Sequence, residues 1–297
     1  MIDEALGQIS VDRLRAHVEA LEGVRHPLVA PEALERAADY IEGELAGLGY
    51  EVETHRFPAH GREFRNLLAT IPGTGRPEDR VLVVAHYDTV ENSPGADDNG
   101  SGVAGLLELA RVLRPLQFEG TVQFVAVNLE ENQEREGEER LSTVGSRALA
   151  VDARAQGWQI AGVLVLESIA YAGTDLVQKA PAGLPVAMPK RGDFLAVVGN
   201  QASLGLVEVF GREVERHDVP LSIFPIVVPG KGEALRDTRR SDHAPFWDND
   251  YPAVMLTDTA NFRNPHYHQP TDTSDTLNLD FAANVCRAVG GVVVGEG

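Results

Sequence analysis

Apolar positions change period several times along the chain. Residues 11–23 (VDRLRAHVEALEG) and 31–49 (PEALERAADYIEGELAGLG) carry them at helical spacing, and Gly49 is suited to a C-terminal cap. Residues 49–57 (GYEVETHRF) and 64–72 (FRNLLATIP) alternate instead, as paired strands do. RVLVVAH (80–86), TVQFVAVNL (121–129) and GVLVLES (162–168) are short and apolar, the pattern of strands buried in a parallel sheet. A helix over 101–114 follows the first of these, with Ser101 or Asn99 available to cap it, and another helix precedes the third. FLAVVGN, the helix-like SLGLVEVFGREVER, SIFPIVV, YPAVML and a closing helix around 279–294 continue the alternation. The pattern predicts an α/β fold, a three-layer α/β/α sandwich whose mixed, mostly parallel central sheet is flanked by helices. No internal repeat or linker divides residues 1–297, which read as a single domain, and the Pro/Gly-rich stretch 172–193 reads as an active-site loop.

Composition narrows the classes of partner. With 43% hydrophobic residues among 297 the chain can bury a large core. A formal net charge of −19 argues against nucleic acid and gives a mild attraction for cationic groups, such as the α-amine of a peptide. No apolar run approaches the ~18 residues of a membrane span. The N-terminus lacks a basic stretch followed by an apolar one, so a cytoplasmic location is expected. Cys286 is the sole cysteine, which rules out an intramolecular disulfide, and FAANVCRAV places it in the core.

Chemistry concentrates at strand ends. The run VLVVAHYDTVENSPGADDNGSG (81–102) sets His86, Asp88 and Asp97 just beyond an apolar strand and at the mouth of the next helix. α/β proteins put their sites there, and imidazole with carboxylate is a plausible ligand set for a divalent metal. Glu130 and Glu131 end the next strand, Glu167 ends another, and His268 lies near the C-terminus. Two imidazoles and several carboxylates on separate strand ends look like a two-metal hydrolase. Plainer readings compete. His86 alone could be a core histidine, and Asp97–Asp98–Asn–Gly could be an ordinary turn with a helix cap. The charges after Glu131 suit a solvated loop. His266 competes with His268 as a ligand, and His243 could orient a loop or touch substrate. His17, His26, His55, His60 and His217 lie in surface-like settings without a role.

HYD…PGADDNGSG, the EE after FVAVN, LES, SDHAPF and YHQPTDT, in that order over about residues 81–275, resemble the metallopeptidases of family M28. The resemblance implies an α/β/α sandwich and a pair of zinc ions, with cobalt or manganese as possible substitutes. It implies that Asp97 bridges the metals, with His86 and Glu167 completing one site and Glu131 and His268 the other. Glu130 is then the general base, Asp88 fixes the tautomer of His86, and Tyr267 hydrogen-bonds the oxyanion. It also suggests a cis peptide between Asp97 and Asp98. Two departures stand out: a longer charged insertion, ENQEREGEERLSTVGS, where relatives carry EExGLxGS, and Glu167 where many carry Asp.

The expected activity is that of a zinc exopeptidase spanning 1–297, most simply an aminopeptidase acting on peptides. A carboxypeptidase would need a cationic clamp, for which Arg191, Arg239, Arg240 and Arg263 are candidates. Glutaminyl cyclisation on the same fold would use a single zinc. A non-catalytic binding module fits poorly with five intact ligands and a base.

Overall fold

Residues 2–131, 142–184 and 186–297 are described by the structure, a computed structural model. Helices α1 (Ile2–Leu6), α2 (Val11–Leu21) and α3 (Pro31–Gly47) lead into the hairpin β1 (Val52–Ala59) and β2 (Arg62–Ile71). The alternation follows: β3 (Arg76–His86), α4 (Gly102–Leu113), β4 (Gly120–Val127), α5 (Val144–Ala155) and β5 (Gln159–Glu167). A small hairpin, β6 (Gly173–Val177) with β7 (Arg191–Gly192), precedes β8 (Phe194–Asn200), α6 (Leu204–Arg216) and β9 (Ser222–Val228). The chain ends through α7 (His243–Asp248), β10 (Ala253–Thr257) and α8 (Leu279–Glu296).

The main sheet, among the described residues, runs β1-β2-β4-β3-β5-β10-β8-β9. Its parallel pairings, β4 with β3, β3 with β5, β5 with β10 and β8 with β9, outnumber the antiparallel ones. Period-2 side chains of β3 divide between two cores. Val81, Val83 and Ala85 pack with α2, α3, α4 and α8, while Leu82 and Val84 pack with α5 and α7. This is the expected three-layer sandwich. α4 carries the chain from β3 to β4 on one face, and α5 carries it from β4 past β3 to β5 on the other. The order therefore reverses at β3, and the C-terminal ends of β4, β3 and β5 lie side by side at a switch point.

Local signals are met where the backbone demands them. Gly49 has φ +82°, its amide bonds the Ala46 carbonyl at 2.9 Å and the Tyr50 amide bonds that of Leu45 at 3.2 Å, a Schellman closure of α3. Asn99, rather than Ser101, caps α4 by accepting from the Gly102 amide. Stretch 172–193 is not wholly loop, since it includes β6 and β7. His17 and His26 are buried rather than surface residues, whereas Cys286 is buried as expected. Most of the charged insertion after Glu131 lies outside the described residues. No helix among the described residues is long and apolar enough to cross a membrane.

Gly49 meets no neighbouring atom where a Cβ would stand, so only its left-handed backbone resists substitution. Gly49→Ala should cost about 1 kcal/mol in urea unfolding without altering activity.

Candidate metal centre

Three adjacent strand ends, the turn before α4 and the loop after β10 deliver the acidic and imidazole side chains. His86 closes β3, fully buried, with Nε2 3.3 Å from Asp98 Oδ1 and 3.4 Å from Glu167 Oε2. Its Nδ1 faces Asp88, 3.2 Å from the main-chain oxygen and 3.5 Å from Oδ1. His268 Nε2 stands 3.1 Å from both Asp98 Oδ2 and Glu131 Oε1. Two groups thus form among the described residues, His86–Asp98–Glu167 and Asp98–Glu131–His268, each with its ligand atoms within 4.8 Å of one another. Asp98 belongs to both.

This corrects the expectation for Asp97, which belongs to neither. Asp97 turns inward: Oδ1 accepts from the Ala170 amide (3.0 Å) and Ser101 Oγ (3.1 Å), and Oδ2 accepts from Asn264 Nδ2 (2.9 Å). The turn over Ala96–Ser101 leaves helical geometry at Asp98 (φ −103°, ψ 92°) and Asn99, so the second aspartate projects to the other side. The cis peptide likewise falls one residue later than expected, between Asp98 and Asn99.

The pairs of successive acidic residues are held through their amides. Asp88 accepts from the amides of Glu130 (3.0 Å) and Glu131 (3.1 Å), a role beyond the one anticipated for it. Asp272 accepts from those of Asp97 (2.9 Å) and Asp98 (3.1 Å). Asn99 ties the turn to β5, donating to the Leu166 carbonyl and accepting from the Ser168 amide. Ser241 donates to Glu167 Oε2 at 2.6 Å. Leu129, Ser168 and His268, each at or beside one of these acidic or imidazole residues, have positive φ (59°, 50° and 58°). Non-glycine residues adopt that region only when their surroundings hold them there. The capping by Asn99 was readable from its place before the helix, whereas its bonds to β5 and the amides that Asp272 accepts have no signal in the local spacing.

Electrostatics follow from this crowding. Burial first, and then neighbouring carboxylates, push Glu130 well above the usual carboxylate range, against the pull of His86. Burial and Asp98 push Glu131 up to about 8, although His268 opposes. Burial works against charge on His268, yet Asp98 and Glu131 raise it to about 10. Burial would raise Asp98 too, but the two imidazoles hold it well below its usual range. Asp242, which accepts from Ser146 Oγ, rises by burial to about 7. His86 Nε2 and both Asp98 oxygens are buried without a well-formed hydrogen bond among the described residues. A buried imidazole nitrogen and buried carboxylate oxygens left in this way, beside further imidazole and carboxylate groups, fit divalent cations.

The other candidates fall in different settings. Tyr267 stacks on His268 at 3.9 Å, and its hydroxyl accepts from Arg240 at 3.2 Å. His243 is buried, donates from Nε2 to the Thr238 carbonyl and packs edge-on to Trp247, so it orients the loop before α7. His266 bonds Thr271 and joins neither group. Beside Glu167 opens an apolar pocket walled by Leu184, Met188, Ile226, Met255 and Phe262, with Arg240 and Tyr267 also lining it.

The sequence pattern of Peptidase family M28 matches residues 66–215 and 224–293. The chain belongs to peptidase family M28. It is accordingly a hydrolase of the metallopeptidase class, one whose family chemistry depends on metal ions. Among relatives, YfbL of Escherichia coli K12, a protein described as uncharacterized, is 34% identical over 94% of this chain and 86% of its own length. Leucine aminopeptidase 1 of Arthroderma otae is 28% identical over 80% of the chain, which spans 58% of that protein. The aminopeptidase of Aneurinibacillus sp. strain AM-1 shares the fold of this M28 chain, with a TM-score of 0.74 at 16% identity over 100% of this chain and 96% of the other.

A pH prediction follows for the metal-free protein. Glu131, Asp242 and Asp272 titrate near 7–8 when folded and near 4 when unfolded, so the folded state binds more protons between those values. Their protonated forms favour folding below pH 4, and that contribution is lost as pH rises through 7–8. The buried histidines His17, His26 and His243, all lowered by burial, work in the opposite direction but only below pH 6.5. Chelator-treated protein should therefore melt at lower temperature at pH 8 than at pH 6. Added metal, by displacing the proton on Glu131, should raise the melting temperature more at pH 8.

Proposed function

We propose that this M28 peptidase is an aminopeptidase that hydrolyses the first peptide bond of peptides with a free α-amine, using two zinc ions and Glu130 as general base. The observation that carries the reading is Asp98, whose two oxygens face separate histidines, one in each ligand group. His86 and Glu167 would complete one site and Glu131 and His268 the other. Zinc at these positions, or cobalt or manganese in its place, would supply Lewis acidity toward the attacking water and the scissile carbonyl. Sharing of one carboxylate between two groups favours this over glutaminyl cyclisation with a single zinc.

The chain's own residues would do the rest. Glu130 follows the same strand as Glu131 but joins neither group, and its raised proton affinity suits a base. It takes a proton from the attacking water and delivers it to the amine nitrogen as the C–N bond breaks. Asp88 would keep His86 in one tautomer. Tyr267, at the edge of the pocket, offers its hydroxyl to the carbonyl oxygen as charge develops there. Glu130 and Glu167 provide the negative charge that attracts the α-amine, and the Leu184–Met188–Ile226–Met255 pocket suits an apolar first side chain. The name of the Arthroderma relative, a leucine aminopeptidase, supports that preference. Among the clamp candidates Arg240 lines the pocket but bonds Asn261 and the Tyr267 hydroxyl. Arg239 is engaged with Asp248, and Arg263 is buried on Gln178 and the Phe194 carbonyl.

Mass analysis of digests of free, N-acetylated and C-amidated peptides should show stepwise loss of N-terminal residues. Acetylation should block it, C-amidation should not, and chelator should abolish it. Cleavage that ignores acetylation but stops on C-amidation would overturn the aminopeptidase reading. Glu130→Gln should lower kcat by roughly 10²–10⁴-fold with metal content unchanged. Asp98→Asn should lose metal from both positions. Full metal in Asp98→Asn, by elemental analysis, would refute the shared-ligand role.

A further inference from the structure

Arg25 precedes the matched part of the family pattern and is 2% exposed. A guanidinium taken out of water is costly and is ordinarily paired with a carboxylate. Among the described residues this one donates to main-chain carbonyls instead. Nε bonds Tyr87 (2.8 Å), Nη1 bonds Leu21, Gly23 (2.9 Å) and Pro94 (2.9 Å), and Nη2 bonds Gly95 (3.0 Å). Its own main chain adds to the link. The Arg25 amide donates to Thr89 Oγ1 (2.9 Å), the Thr89 amide returns to the Arg25 carbonyl (3.1 Å), and the Gly23 amide reaches the Pro94 carbonyl (2.9 Å).

Three stretches distant in sequence are joined at this point: the end of α2, the turn that leaves β3 with His86 and Asp88, and the turn that enters Asp98. The second turn is shaped to the guanidinium. Gly95 has φ +61°, and a Cβ there would lie 2.4 Å from the Asp98 carbonyl oxygen and from Thr89 Cγ2, and 3.0 Å from Arg25 Nη2. Burial lowers the guanidinium to about 10, with Asp88 and Asp272 pulling the other way, so it stays charged at neutral pH. Only a planar fork offers fixed donors in several directions at once. An ammonium is a single point on a flexible stem.

We propose that Arg25 is a positioning residue that fastens the turn bearing His86 and Asp88 to the turn bearing Asp98, so that the ligand side chains face one another before any metal binds. The inference rests on the metal-site reading above. Arg25→Lys keeps the charge and loses the fork. Phe210→Leu, a truncation of the buried face of α6, serves as a control for general loss of stability. Zinc affinity of chelator-stripped wild type and both variants is measured by competition with a chromogenic chelator. Hydrogen exchange is followed in metal-free wild type at the Gly23 and Thr89 amides. Arg25→Lys should bind zinc at least fivefold more weakly, Phe210→Leu should match wild type, and both amides should be protected at least a hundredfold. Arg25→Lys within fivefold of wild type, a control that weakens zinc equally, or unprotected amides would each overturn the proposal. If Arg25→Lys fails to fold, the exchange measurement decides alone. Failure of wild type to take up zinc would instead refute the metal-site reading, and the exchange would still test the fastening of the turns.

Discussion

Two buried carboxylates, Asp88 and Asp272, each accept the amides of two successive acidic residues, and the rest of the centre depends on those bonds. Removing carboxylates from water is tolerable only when each finds donors or a cation. Asp88 and Asp272 find main-chain N–H groups, and in doing so they fix where Glu130, Glu131 and Asp98 begin. The side chains of Asp98 and Glu131 are then left facing the histidines. Leu129, next to Glu130, is left-handed, at a cost on the order of 1–3 kcal/mol that its surroundings must offset; its amide donates to Asn128 Oδ1 and its carbonyl accepts from the Val144 amide.

The sheet makes this arrangement reachable. β4, β3 and β5 run parallel and adjacent, so their C-terminal ends present Glu130, Glu131, His86 and Glu167 along one edge. The connection that leaves β3 and the one that leaves β4 cross opposite faces of the sheet, which opens the edge into a cleft. The apolar pocket opens beside Glu167, among side chains of β8, β9 and β10 and of the segment between β6 and β7. Acidic centre and apolar pocket thus share one strand end, the arrangement that the proposed selection of an N-terminal residue by its amine and its side chain would require.

Much of this was legible along the chain, and for a physical reason. A buried parallel strand must be apolar throughout, so a His or Glu at its end interrupts an otherwise uniform run and is visible. His86, Glu130, Glu131 and Glu167 were all readable in that way. His268 needed the motif around it to separate it from His266. Asp97 and Asp98 could not be told apart, because neighbouring aspartates differ only in the direction an irregular turn gives them. Asp272 and Arg25 act through bonds to residues 175 and 69 positions away, and such bonds leave no periodic trace.

The sequence by itself determined the order of the elements, the face each buries and the residue types set at the strand ends, since period and composition are local properties of burial. Tertiary structure alone decided which aspartate is shared, which carboxylates hold amides and which arginine joins the turns. Those choices depend on where distant backbone N–H and C=O groups meet once the sheet has closed its two cores.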